Sequence, residues 1–189
     1  MVPGYDVIIV GGGSAGCVLA GRISEDPACS VLMLEAGPDY PASRVPADLL
    51  DGVHGPSIAT HDWGLTGQSG GRVLPLPRGR VVGGSSAVNA TFALRGSPFD
   101  YDRWRQPGWS FADVGPSFVQ LESDRDFPAA AYHGAGGPAP IRRYLGAEQS
   151  ALAVAAIEGL RAAGIPEIAD RNAPYAVGVA PLPVKAVVG

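Results

Sequence analysis

Gly11-Gly12-Gly13-Ser14-Ala15-Gly16 is the feature that most restricts what this chain can fold into. It follows residues 5–10 (YDVIIV), a β-branched apolar run that reads as a buried parallel strand. Ala15, Val18, Leu19 and Ile23 then recur at helical spacing over about residues 14–24, with Pro27 beyond the end. Residues 31–35 (VLMLE) read as a second buried strand. Strand, helix and strand make a βαβ unit with a right-handed crossover. Each glycine then has a separate physical role. Gly11 allows the tight turn, Gly13 lets backbone approach a diphosphate, and Gly16 lets the helix lie close to the strand. The diphosphate would sit at the helix N-terminus, where free N–H groups and the helix dipole favour negative charge, with the Ser14 hydroxyl as a further donor. Glu35 ends the second strand, nineteen residues after Gly16, where an acid accepts hydrogen bonds from a ribose. The spacing predicts dinucleotide binding and does not separate FAD from NAD. A glycine turn in a purely structural βαβ unit would leave Glu35 unexplained.

Composition narrows the class. The chain has 189 residues, 46% hydrophobic and 17% charged, with mean hydropathy +0.12. That supports a packed core and excludes disorder. Twenty-seven glycines and eighteen prolines without a Gly-X-Y period indicate a loop-rich globular chain. Net charge is −4 and no basic stripe occurs, which argues against nucleic acid as a ligand. Cys17 and Cys29 make neither a disulfide framework nor a metal spacing, and so fit a reducing compartment. No apolar run is long enough to span a membrane, and Asp6 with the interrupting glycines makes a poor signal peptide. A cytoplasmic location is expected.

Prolines at 38, 41, 46, 56, 75 and 77 make residues 37–79 read as one long loop, of the kind that covers a ligand. Gly83-Gly84-Ser85-Ser86 is small, flexible and rich in donors. It suits a backbone wrapped around a flat cofactor or its phosphates, and equally a plain Gly/Ser loop. A short helix is expected over 113–122, weakened by Gly115-Pro116. A longer one is expected over 148–163, with Leu152, Ala155, Ala156, Leu160 and Ala163 as its apolar stripe and Gly164 as its C-cap. Residues 176–188 read as one strand interrupted by Pro181 and Pro183.

YDVIIVGGGSAGCVLAGRISED, LEAGPD, Asp62-Trp63, GRVVGGSSAVNATFALRGSPFDYDRW, PGWSFADV and YHGAGGP occur in that order. Together they resemble the amino-terminal portion of the glucose–methanol–choline (GMC) oxidoreductases, FAD enzymes that pass a hydride from an alcohol to the flavin. The resemblance implies an α/β fold: the N-terminal part of a Rossmann-like FAD-binding domain over 1–105, including the loop 37–79, and the start of an α+β substrate region over 106–189. It implies a diphosphate and ribose site at Gly11, Gly13, Ser14, Ala15, Gly16, Glu35 and Ala36. It also implies flavin contacts from Val82, Gly84, Asn89, Ala90, Thr91 and Phe92, with Asn89 as the polar group that orients the ring. Some members attach FAD through a histidine in this segment. Val88 precedes Asn89 here, so non-covalent FAD is expected. Gly115-Pro116 departs from the family, whose members carry a larger apolar residue before that proline. The family's second signature and its carboxy-terminal catalytic histidine have no counterpart. The resemblance therefore implies an N-terminal fragment acting on a small alcohol with an undefined electron acceptor. It would be inactive alone, completed by a separate C-terminal half, or else a non-catalytic FAD-binding remnant.

No catalytic residue is assigned. His133, in a glycine-rich turn, is the weak candidate for a base, and His54 and His61 read as solvated or packing residues. Cys17 reads as a buried, inert thiol, and Trp63, Trp104 and Trp109 as core anchors, Trp63 also being able to approach FAD. Asp100 and Asp102 read as structural, and Arg142 and Arg143 as a solvated pair.

Overall fold

The computed structural model describes residues 4–50 and 59–185. Its backbone contacts divide the chain into two compact units, Met1–Ala90 and Thr91–Gly189; the sequence reading divides it at 105.

The first unit opens with the expected βαβ. Strand β1 (Val7–Val10) pairs in parallel with β2 (Val31–Leu34), Val7 opposite Val31 and Val10 opposite Leu34, and helix α1 (Ser14–Ile23) connects them. Burial of both faces of β1 is not observed. Ile9 points towards α1 and is buried, whereas Ile8 and Val10, on the opposite face by strand alternation, are 58% and 84% exposed. Helix α2 (Ala47–Leu50) follows. The stretch read as a loop also contains an antiparallel hairpin, β3 (Thr66–Ser69) and β4 (Arg72–Pro75). Its turn residues Gly70 and Gly71 have φ of 57° and 76°. Two left-handed central residues match the twist of a two-residue hairpin, which is why Gly-Gly stands there. Helix α3 (Ser85–Val88) closes the unit.

The second unit contains α4 (Pro98–Asp102), α5 (Phe111–Leu121), β5 (Glu122–Asp124), β6 (Ala139–Arg143), α6 (Ala151–Ala162) and β7 (Pro183–Lys185). Its sheet runs β5-β6-β7, parallel then antiparallel. β7 realises only residues 183–185 of the expected 176–188 strand: Pro181 lies just before it and Pro183 opens it, and residues 186–188 lie outside the described residues. Helix α5 starts two residues earlier than expected. Ser110 accepts from the Asp113 N–H while Asp113 accepts from the Ser110 N–H, and the helix continues through Pro116. Ser150 caps α6 through the Ala153 N–H. At its far end Gly164 has φ 86°, and the N–H groups of Gly164 and Ile165 donate to the carbonyls of Arg161 and Leu160, both at 3.0 Å. The C-cap is Ala163, one residue before the expected Gly164; the pair of bonds satisfies the last turn, with left-handed Gly164 just beyond the cap. The stripe on α6 does not form a core: Leu152 is 80% exposed and the helix buries no residue. The interior of this unit holds Ile141, Val179, Ala180 and Val184 together with Glu122, Asp124, His133, Arg143, Asp170 and Asn172.

Candidate functional site

β1 ends at Val10, and Gly11, with φ 97°, turns the chain while its N–H donates to the Leu34 carbonyl at 2.7 Å. The backbone thus closes the turn on β2 before α1 begins. A Cβ at Gly16 would lie 1.9 Å from the Gly11 carbonyl oxygen, so only glycine lets α1 approach this closely. Gly13 is the N-cap of α1; it offers no side-chain cap, and the first turn holds no acid. Ser14 and Ala15 are exposed beside it. The helix start therefore presents backbone N–H groups and one hydroxyl, with no carboxylate to compete for them.

Glu35 reaches back to this loop. Its Oε2 accepts from the Gly12 N–H at 2.7 Å and its Oε1 from the Gly37 N–H at 2.8 Å. The acid therefore braces the glycine loop, a role the spacing alone does not reveal. A carboxylate has about four lone-pair sites, so acceptor capacity remains for hydroxyl donors. Ala36 is exposed next to it. The Cys17 thiol donates to the Gly12 carbonyl at 3.2 Å and is half-buried, which fits an inert packing group.

The second glycine segment docks onto the first. The Gly83 N–H donates to the Gly12 carbonyl at 2.7 Å, and Gly83 bridges Gly13 in parallel. Gly84 has φ 55°, and a Cβ on it would stand 2.8 Å from Gly13 Cα. The Val82 N–H donates to the Pro38 carbonyl at 3.1 Å. Gly11, Gly13, Gly16, Val82 and Gly84 thus converge through backbone contacts, and Glu35 joins them through its carboxylate. Asn89 ends α3 and is exposed, with Ala90 after it; Thr91 and Phe92 begin the second unit. An uncapped helix start in a cradle without Cβ atoms, beside a carboxylate with spare acceptor capacity, fits the diphosphate and ribose of a dinucleotide.

The histidines offer no free base among the described residues. His61 is buried, with Nε2 3.0 Å from the Tyr40 hydroxyl and Nδ1 2.6 Å from the Thr60 hydroxyl; His54 lies outside the described residues. His133 is also buried, Nδ1 on Glu122 and Nε2 on Asp170. Glu122, Asp124 and His133 come close enough to share a metal ion. Their acidic oxygens are already committed to Arg95 and Arg143, as in an ion-pair network.

Arg142 and Arg143 are not the solvated pair expected. They alternate on β6, so Arg142 faces Glu148 at the surface while Arg143 is 2% exposed between Asp124 and Asp170. Trp63, Trp104 and Trp109 are not core anchors. All three are exposed; Trp104 packs on Trp109 and Tyr101 at the surface, and Trp63 lies beside the Arg80 guanidinium. Asp100 and Asp102 are structural as read, Asp100 accepting from Ser97 and Asp102 from the Phe111 N–H.

A family model for the GMC oxidoreductases matches residues 5–183. Among curated proteins, the chain is 37% identical over 192 residues to 5-(hydroxymethyl)furfural oxidase of Methylovorus sp. (strain MP688), covering 94% of this chain and 36% of that protein. It is 40% identical over 186 residues to mitochondrial choline dehydrogenase of Homo sapiens, covering 89% and 30%. Among solved structures, pyridoxine 4-oxidase from Mesorbium loti superposes with a TM-score of 0.84 at 33% identity, covering 97% of this chain and 37% of that one. The chain spans about a third of the length of these relatives.

Proposed function

The chain belongs to the GMC oxidoreductase family, and on that premise we propose that it is the FAD-holding amino-terminal portion of an enzyme that oxidises the CH–OH group of a small alcohol. The observation that carries the reading is the docking of Gly83 and Gly84 onto Gly12 and Gly13 at the uncapped start of α1, with Glu35 bonded to the same loop. When bound, FAD supplies the acceptor for the hydride that leaves the alcohol carbon.

In this reading the N–H groups at Gly13, Ser14 and Ala15 hold the diphosphate, and Gly11 and Gly16 set the loop that presents them. Glu35, with Ala36 beside it, receives the ribose hydroxyls. Val82, Gly84, Asn89, Ala90, Thr91 and Phe92 line the flavin, with Asn89 orienting it. The cofactor is held without a covalent bond, since Val88 is a buried apolar side chain with no nucleophile. The electron acceptor is oxygen or another acceptor, and the location is cytoplasmic, in keeping with two free cysteines. Turnover requires the part corresponding to the rest of the relatives' length, in cis or as a separate polypeptide. A second reading, FAD binding without turnover, draws on the engagement of both described histidines by neighbouring side chains.

Titration of the chain with FAD and with NAD, followed by flavin fluorescence and calorimetry, tests the first step. FAD preference with colour lost on acid precipitation is expected, and NAD binding without flavin affinity would refute it. Glu35→Ala is expected to weaken FAD by about 1–3 kcal/mol. Part of that loss comes from release of the Gly12 and Gly37 N–H groups. Anaerobic flavin bleaching by a panel of alcohols separates the two readings: the 189-residue chain alone is expected not to bleach, and bleaching once the remaining part is supplied excludes the non-catalytic reading.

A further inference from the structure

We propose that His133 is a positioning residue: a buried imidazolium whose charge balances an ionic network and thereby holds the segment from Thr91 to Arg95 in place. The consequence for cofactor binding rests on the flavin reading of Thr91 and Phe92; the network itself does not.

Both ring nitrogens of His133 face carboxylates. Nδ1 meets Glu122 Oε1, with Asp124 Oδ2 at 3.2 Å, and Nε2 meets Asp170 Oδ2 at 2.9 Å. A neutral imidazole has one N–H and would turn a lone pair towards an acid on one side or the other. The charge count agrees. Three buried acids, Glu122, Asp124 and Asp170, face two buried arginines, Arg95 and Arg143, so a protonated His133 makes the cluster neutral. A neutral His133 would leave an unbalanced negative charge in the interior, where charge is costly. Asp126, on the rim, also accepts from Arg143. Tyr132 packs against the imidazole, and burial together with the charge of Asp170 raises its pKa, so it stays neutral. Phe127 stacks on the imidazole with ring centroids 5.8 Å apart. Burial works against charge on His133, but the hydrogen bonds to Asp170 and Glu122 outweigh it and hold the imidazolium above its ordinary pKa.

The acids on either side of His133 are the ones that tie down the segment. Glu122 pairs with the Arg95 guanidinium. Asp170 accepts from the Asn172 N–H at 3.2 Å; Asn172 in turn accepts from the Arg95 N–H at 3.1 Å and donates to the Ala93 carbonyl at 2.9 Å. On the other edge the Ala93 N–H donates to the Pro183 carbonyl at 2.9 Å and the Lys185 N–H to the Thr91 carbonyl at 2.8 Å. Thr91 has φ 61°, a left-handed conformation that a β-branched residue keeps only when its surroundings enforce it. Loss of the His133 charge loosens Glu122 and Asp170 together, and with them this enforcement.

The test uses the full chain without cofactor. Nuclear magnetic resonance reads the ring nitrogens of His133, and hydrogen exchange reads the protection of the Ala93, Arg95 and Lys185 amides against those of α6. The expected result is an imidazolium at neutral pH, with protection of the three amides falling as pH rises through its pKa while α6 is unchanged. The sign follows from a raised folded pKa: the contribution is complete below about 6.5 and is lost on the alkaline side. His133→Gln and Asp170→Asn each unbalance the network by one charge and should lower protection about tenfold or more. The double variant is neutral again and should recover most of it. A neutral His133 at pH 7, equal losses in α6, or no recovery in the double variant would overturn the proposal. FAD titrations across the same pH range separate the consequence from the network. Flavin affinity that stays flat while the amides lose protection refutes positioning of the cofactor segment, and no FAD binding at any pH refutes the function reading while the amides still decide the network.

Discussion

Around the glycine loop of the first unit the contacts are backbone on backbone or backbone on carboxylate: Gly84 against Gly13, Gly16 against the Gly11 carbonyl, and the Gly12 N–H on Glu35. In the second they are side chain on side chain, Arg143 clamped by Asp124 and Asp170 beside a buried imidazole. The helix starts differ in the same way. Ser110 and Ser150 cap α5 and α6, whereas Gly13 leaves α1 without a side-chain cap. On the proposed reading the N–H groups at the start of α1 stay uncommitted, and the loop is held instead by glycine contacts and by Glu35 on the Gly12 N–H. A unit with no such duty can fill its interior with ion pairs, at the risk of leaving a charge uncompensated if one partner goes.

That risk gives the largest expected effect. Arg143→Met strands Asp124 and Asp170, and removal of one partner from a buried ion pair costs about 3–5 kcal/mol. Amide exchange should show the second unit opening while α1, β1 and β2 keep their protection; equal losses in both units would break the contrast. Acid should act on the same unit. Burial alone would raise the pKa of Asp170, but the hydrogen bond from His133, the Asn172 N–H and the charge of Arg143 hold it at about 2. A depressed folded pKa stabilises above the ordinary value, about 3.9, and that contribution is lost as pH falls through 2. Intrinsic fluorescence between about pH 5 and about pH 1.5 should therefore report the second unit first.

Gly16→Ala comes next. Its Cβ would sit 1.9 Å from the Gly11 carbonyl oxygen, so α1 must move. Overpacking of this kind costs about 1–3 kcal/mol. The loss should fall on the first unit and remove FAD binding, with the His133 resonances unchanged.

The two units also differ in how much of them can be read from sequence. The βαβ unit is local: the signals for β1, α1, β2 and Glu35 lie within thirty-one residues, and each follows from a short pattern. The hairpin β3–β4 is equally local and Gly70-Gly71 signals it, but the surrounding prolines mask it by arguing for a loop. The ionic network is of another kind. Arg95 and Asn172 are separated by 77 residues, His133 and Asp170 by 37, so nothing nearby marks any of them as buried. The arginine pair is the exception. Two adjacent arginines on a strand must point to opposite faces, so Arg142 and Arg143 cannot both be solvated once β6 is recognised. The apolar stripe of α6 shows the converse: Leu152 and Leu160 have helical spacing, yet periodicity names a face without supplying a partner to bury it.

Ser150→Ala tests the capped side of the contrast at about 1 kcal/mol, since it removes the acceptor for the Ala153 N–H. Thermal melts should show the loss, and FAD affinity should not change.

Gly13→Asp tests the uncapped side and has the smallest expected effect on stability. Gly13 has φ −77° and ψ −170°, ordinary extended backbone that any residue adopts. A Cβ there would meet Gly84 Cα at 3.9 Å, a normal contact. The substitution therefore fits, and its carboxylate can accept from the first-turn N–H groups as Ser110 does in α5. Aspartate is a better N-cap than glycine by only a few tenths of a kcal/mol, so the melting temperature should hold or rise slightly. FAD binding should fall sharply, because the new acid takes the donors and places negative charge where the diphosphate would lie. The two readouts move in opposite directions only if the open helix start is kept for an anion. A variant that binds FAD as tightly as the parent chain would show that the diphosphate does not use the start of α1, and the contrast between capped and uncapped helices would lose its functional meaning.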